Sequence, residues 1–109
     1  MSSYFALPAD CSRHTIFPGV HIDTLAGQGL MLSFVEFAPG AVVEWHQHPH
    51  EQMGVLLAGE LEFFIGDERR LLRPGEMWRI PGGVRHKAIA GPTGVKALDV
   101  FHPIRDDYR

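Results

Sequence analysis

The chain has a single cysteine, Cys11, in 109 residues. It has no second thiol for an intrachain disulfide, and nothing in its cysteine usage speaks for an oxidising compartment. A cytoplasmic location is the expectation. No apolar run approaches the roughly 18–20 residues of a membrane-spanning helix. The start, MSSYFALPADCSRH, lacks the basic and apolar regions of a secretory leader. Positive charge is also scarce: ten basic residues stand against thirteen acidic, for a net charge of −3. A nucleic-acid footprint or a polybasic membrane anchor is therefore not expected. Finally, the chain lacks helical periodicity. No good window of eleven or more residues repeats apolar positions at i, i+3, i+4 and i+7.

Turn formers and histidine are plentiful. There are 12 glycines and 8 prolines, together above the usual share of about 12%. Seven histidines raise the question of a metal. The length suits one domain, which buries about two-thirds of its unfolded surface by area scaling. Short apolar segments alternate with Gly/Pro turns. Leu30 to Phe37, Ala41 to His46, Gln52 to Leu57, Glu60 to Ile65, Arg69 to Leu72, Glu76 to Ile80, His86 to Ala90 and Val95 to Phe101 read as strands. Gly66-Asp67-Glu68 marks a hairpin, and residues 104–109 allow a last helical turn. Strands at this spacing predict an all-β sandwich or barrel. Residues 1–19 read as an N-terminal arm with one short strand, and 20–109 as the barrel.

His46, His48 and His50 fall within five residues, followed by Glu51 and Gln52. Residues i and i+2 of a strand share a face, so His46 and His48 project together. If parity survives the corner at Pro49, Gln52 joins them and Glu51 points away. A further ligand must come from another strand, because one strand cannot wrap around an ion. His86, just after the Pro81-Gly82-Gly83 turn, is the best placed. His14, His21 and His102 lack such company and read as structural. His50 reads as lining the mouth.

Two spaced patterns lie in order: Gly40-x5-His46-x-His48-x3-Gln52-x6-Gly59, then Gly75-x5-Pro81-x-Gly83-x2-His86. Together they resemble the two motifs of the cupin family. The 15 residues between Gly59 and Gly75 suit a minimal single-domain cupin. The chain departs from the pattern at Gln52, where glutamate is usual, and at Ala90, where asparagine is expected. The resemblance implies a small jelly-roll barrel with His46, His48, Gln52 and His86 around one divalent transition metal (nickel, zinc, manganese or iron). Three imidazoles and an amide oxygen form a neutral set, so the ion keeps its double charge and favours an anionic substrate.

The tail LDVFHPIRDDYR, Leu98 to Arg109, and the stretch His46 to Ile65 are similar to the KdgF-type cupins of pectin and alginate breakdown. That resemblance implies conversion of a 4,5-unsaturated uronate monosaccharide to its linear keto form. It implies functional roles for Asp99, Phe101 and Arg105. Asp99 would move a proton, Arg105 grip a carboxylate and Phe101 pack on the sugar. On the residues alone, Asp99 in an apolar strand needs a partner, and a structural ion pair with Arg79 or Arg85 competes with the functional role. Phe101 also reads as core, and Arg105 as a solvated tail residue.

Gln28, Glu36, Glu44, Arg79 and Lys87 are further polar residues within reach of the interior. Trp45 and Trp78 read as wall or interface aromatics, and Met31, Met53 and Met77 as core or pocket lining. Two other functions compete. One is a cupin dioxygenase acting on a phenol or diketone, and the other is a non-catalytic sugar-acid-binding cupin. The expected partners are a small anionic sugar and a second copy of the chain as a homodimer.

Overall fold

In the computed structural model, residues 3–109 are described. Met1 and Ser2, which the N-terminal arm and leader readings include, lie outside them. Eight strands follow in order: β1 Ser12–Phe17, β2 Val20–Ala26, β3 Met31–Phe37, β4 Val42–His46, β5 Glu51–Ile65, β6 Glu68–Leu72, β7 Met77–Ile80 and β8 His86–His102. Short 3-10 turns lie at Pro8–Asp10 and Asp106–Tyr108. The fold is all-β and every strand pair is antiparallel.

Two long strands organise the molecule. The second half of β8 pairs with β3 on one side and with the first half of β5 on the other. The first half of β8 pairs with β4 and with the second half of β5. β1 and β2 extend the first layer beyond β3, and β7 extends it beyond β5. β6 completes the second layer. The long strands thus pass from one layer into the other, giving a jelly roll. Its main ladder, β1-β2-β3-β8-β5-β6, has two free ends rather than a closed ring.

The sequence reading splits each long strand in two. In the structure, Ala58-Gly59 and Gly91 to Gly94 do not end a strand. The β5–β8 register shifts between Leu56 and Ala58 and again between Gly59 and Leu61. These glycines and prolines mark bulges where the chain bends between layers. Gly59 has φ +85, and a Cβ there would collide with the Gly94 carbonyl. A close backbone approach at the bend therefore needs glycine on two counts.

Ser12–Phe17 pairs with β2 from Ser12 opposite Thr24 to Phe17 opposite Val20, so the second half of the N-terminal segment is an edge strand. Strand parity sends Val20, Ile22, Val35, Phe37, Leu56, Leu61, Phe63, Ile80, Val95 and Ala97 inward as one core. Met31 is fully buried, but Met53 and Met77 are not core: they are 51% and 71% exposed on the outer face. Their strand positions have the opposite parity to Gln52 and Trp78. No helix among the described residues is long and apolar enough to cross a membrane.

Candidate metal centre and its pocket

His46 ends β4 and His86 opens β8, and the ladder places them opposite one another. His48 follows in the corner before β5. One ligand atom from each of the three lies within 4.8 Å of the others. The ring centroids of His46 and His86 are 4.1 Å apart, and those of His48 and His86 5.1 Å.

Backbone carbonyls fix the tautomers. Nδ1 of His46 lies 2.8 Å from the Glu44 carbonyl, that of His48 3.0 Å from the His50 carbonyl, and that of His86 2.9 Å from the Val84 carbonyl. A carbonyl only accepts, so each Nδ1 carries the proton and donates it. Burial disfavours the imidazolium and lowers all three pKa values, that of His86 to about 4. Each ring is then neutral near pH 7, with its Nε2 lone pair free.

The Nε2 of His86 is buried without a hydrogen-bond partner. The Nε2 of His48 faces Gln52 Oε1 at 3.0 Å. In the tautomer fixed by the carbonyls, both of those atoms are acceptors. An orphaned buried nitrogen and two acceptors facing each other both call for a cation between them. The donor set of three imidazole nitrogens with one amide oxygen fits a divalent transition ion.

The pocket around these groups measures about 530 Å³ including its open mouth. Two cross-strand rows build its wall. In one, Met31, Phe101, Gln52 and Ile80 stand opposite one another on β3, β8, β5 and β7. In the next, Ser33, Asp99, Gly54 and Trp78 do the same. Of these, Ser33, Gln52, Trp78, Asp99 and Phe101 line the cavity, so Gln52, Asp99 and Phe101 reach one site from two strands.

Asp99 is 8% exposed. Its partner is neither Arg79 nor Arg85: Arg79 is exposed, and Arg85 pairs with Asp67. Instead, Trp78 Nε1 donates to Asp99 Oδ1 at 2.8 Å. Burial pushes the Asp99 pKa up to about 6, while hydrogen bonds from Gln52 and Trp78 and the charge of Arg105 pull it down.

Arg105 is buried rather than solvated. Its Nε and Nη2 donate to Asp107 at 3.3 and 2.8 Å. The guanidinium lies 3.8 Å over the Tyr108 ring and 5.2 Å from the Phe101 centroid. The tail carrying it is tied down because the Tyr108 carbonyl accepts from Thr24 Oγ1 and His14 Nε2. His14 thus has a structural task at the tail.

His50 is half-buried, with its ring 5.6 Å from that of His48 and its Nδ1 unpartnered. Gln28, Glu36, Glu44 and Arg79 are exposed, and Lys87 pairs with Glu44. Trp45 is 44% exposed under Arg85. Ser33 and Tyr108 are polar pocket residues that the sequence reading leaves out, and Trp78, read there as a wall or interface aromatic, lines the pocket as well. Only strand parity with Ile80 and Asp99 hints at Trp78 and Ser33, and nothing local marks Tyr108.

These features define a small single-domain cupin, and the chain belongs to that family: the Cupin domain model matches residues 33–101. Within the family it is similar to the pectin degradation protein KdgF of Dickeya dadantii (strain 3937). The two are 32% identical over 80 residues, covering 72% of this chain and 73% of that protein. The structure of KdgF from Halomonas sp. matches with TM-score 0.85 at 31% identity, covering 97% of this chain and 98% of that one. An RmlC-like cupin from Shewanella frigidimarina NCIMB 400 matches with TM-score 0.88 at 28% identity, covering 99% and 97%. The family read from the motifs is the family found.

Proposed function

We propose that the protein is a metal-dependent enzyme of unsaturated uronate breakdown, converting a 4,5-unsaturated uronate monosaccharide to its linear keto form. The observation that carries this reading is the buried Asp99 with its raised pKa, set beside a three-histidine centre in one pocket. The likeness to two KdgF proteins supports the substrate class.

His46, His48, His86 and Gln52 would hold one divalent ion, leaving positions open for substrate oxygen. Such an ion supplies Lewis-acid charge that favours negative charge on a substrate oxygen. The chain's own groups do the rest. Asp99 as carboxylate takes the proton from the C1 hydroxyl. That electron pair forms the C1 carbonyl as the bond from C1 to the ring oxygen breaks. The ring oxygen keeps the bond's electrons, forms the C5 ketone, and C4 takes the proton from Asp99. The net change is one proton moved from oxygen to carbon. A pKa near 6 suits a group that must both accept and return it near neutral pH.

Arg105 has one edge occupied by Asp107. Its Nη1 and the outer Nη2–H remain for a substrate carboxylate. Phe101 offers a ring face to the sugar's apolar side, and the neutral ligand set leaves the site attractive to an anion.

Product analysis tests this reading. Turnover of unsaturated galacturonate in deuterated water should place one deuterium at C4, seen by NMR. Oxygen uptake with a phenol or diketone, and no deuterium at C4, would replace it with the dioxygenase reading.

The proposed macromolecular partner is a second copy of the chain. On the outer face, Phe34, Leu98, Val55 and Met77 form one apolar row, and Leu25, Leu32, Val100 and Met53 the next. An antiparallel sheet with a solvated face normally carries polar residues there. Here Arg13, Asp23, Glu36, Lys96 and Arg79 stand only around the rows. An apolar centre with a charged rim is the anatomy of an interface, and a two-fold axis through such a face pairs it with itself.

A further inference from the structure

Asp99 is held by a side chain that takes no part in the reaction described above. On β7, β5 and β8, residues Trp78, Gly54 and Asp99 stand opposite one another in one row. Adjacent strands are about 4.8 Å apart, so the two outer residues are about 10 Å apart at the backbone. Any side chain on residue 54 would stand between them. A Cβ built on Gly54 would collide with Trp78 Nε1, Trp78 Cε2 and Asp99 Oδ1 at once. Gly54 is not among the glycines with positive φ, so its role is to leave space rather than to allow a special backbone.

Through that gap the Trp78 indole crosses β5 and donates to Asp99 Oδ1 at 2.8 Å. The indole is almost fully buried and braced by Phe63, with ring centroids 5.0 Å apart. It is a donor only, with no proton to exchange near neutral pH. It can therefore fix one carboxylate oxygen without joining the proton transfer.

We propose that Trp78 is the positioning residue for Asp99, and that Gly54 is the gap through which it acts. A rigid aromatic anchored in the core fixes the carboxylate more tightly than a flexible surface partner would, and loss of such alignment lowers turnover rather than binding. The proposal rests on the reading of Asp99 as the proton carrier.

The test uses the full chain in a Trp45→Phe background, which leaves Trp78 as its one tryptophan. Trp78 is replaced biosynthetically by β-(3-benzothienyl)alanine, which keeps the ring shape but has sulfur in place of the N–H. The expected result is kcat lower by about 10- to 100-fold, KM within about twofold and unchanged metal content, in a protein that melts somewhat lower but is still folded at the assay temperature. Trp78→Phe should move kcat in the same direction. In a second arm, the Trp78 indole ¹H–¹⁵N resonance is followed in the metal-loaded protein. Asp99→Leu and Gly54→Ala should each shift it upfield by removing or displacing the acceptor. Full kcat with the sulfur analogue, or an indole resonance that ignores Asp99→Leu, overturns the proposal. If the parent protein does not turn over unsaturated galacturonate, the reaction reading fails instead. The indole resonance then decides by itself whether Trp78 anchors Asp99.

Discussion

Asp99 stands where a carboxylate is expensive. Burial raises its pKa from 3.8 to about 6, a shift worth about 3 kcal/mol. Because the folded value lies above the unfolded one, the stability present below about pH 4 is lost as the pH rises through about 6. Asp99→Asn should therefore stabilise the metal-free protein by about 1–3 kcal/mol near pH 7.5 and by almost nothing near pH 4, as read by urea denaturation. The same ionisation governs turnover in the opposite sense. The base form is lost below about pH 6, so kcat/KM should fall there about tenfold per pH unit. An activity plateau extending well below pH 5 would contradict it.

Gln52 offers a second residue-level prediction. Gln52→Glu adds a negative charge to the ligand set, so it should retain metal, measured by plasma emission, while raising KM for the anionic uronate several-fold. His86→Ala should lose bound metal. The histidine pattern was legible because 46, 48 and 52 follow strand parity around one corner. The Trp78–Asp99 bond was not, because residues 21 apart meet only through the register of β5 with both neighbours. Arg105 looked solvated because nothing local shows that His14 and Thr24 pin the tail over the pocket.

At the scale of elements, the two long strands carry the architecture, and the sequence concealed them. Gly59, Gly91, Pro92 and Gly94 are the residues that normally end strands. Here they permit bends, which only the tertiary pairing of β5 with β8 reveals. Most of the short strands read well because turn signals flank them, whereas β2, Val20–Ala26, does not read as a separate strand although its burial alternates. The bend has a measurable price. Gly59→Ala must adopt φ near +85 and push against the Gly94 carbonyl. A loss of about 2–4 kcal/mol is expected in equilibrium urea unfolding. A loss below about 0.5 kcal/mol would mean that the bend accommodates side chains freely.

At the scale of the whole molecule, the sheet has an inner pocket that carries His46, Gln52, His86, Asp99 and Arg105, and an outer face with two apolar rows. On the proposed reading, the first takes a small anion and the second a copy of the chain. Light scattering should give twice the chain mass of 12.2 kDa. The double variant Met53→Glu, Met77→Glu should be monomeric, because buried like charges at the centre of a two-fold interface repel and lose solvation. A monomeric parent protein would rule out the homodimer. The sequence leads to the expectation of a homodimer but not to the face proposed for it, since Met53 and Met77 look like core until the register turns them outward.

The central claim is that Asp99 and a metal at His46, His48, Gln52 and His86 act together on an unsaturated uronate. The most direct measurement follows the ultraviolet absorbance of the conjugated C4–C5 double bond in unsaturated galacturonate. Metal-loaded protein, EDTA-treated protein and metal-loaded Asp99→Asn are compared, with the uncatalysed rate subtracted. Accelerated loss of the chromophore with the first sample, and little or none with the other two, is the expected result. Equal rates in all three samples would contradict the account.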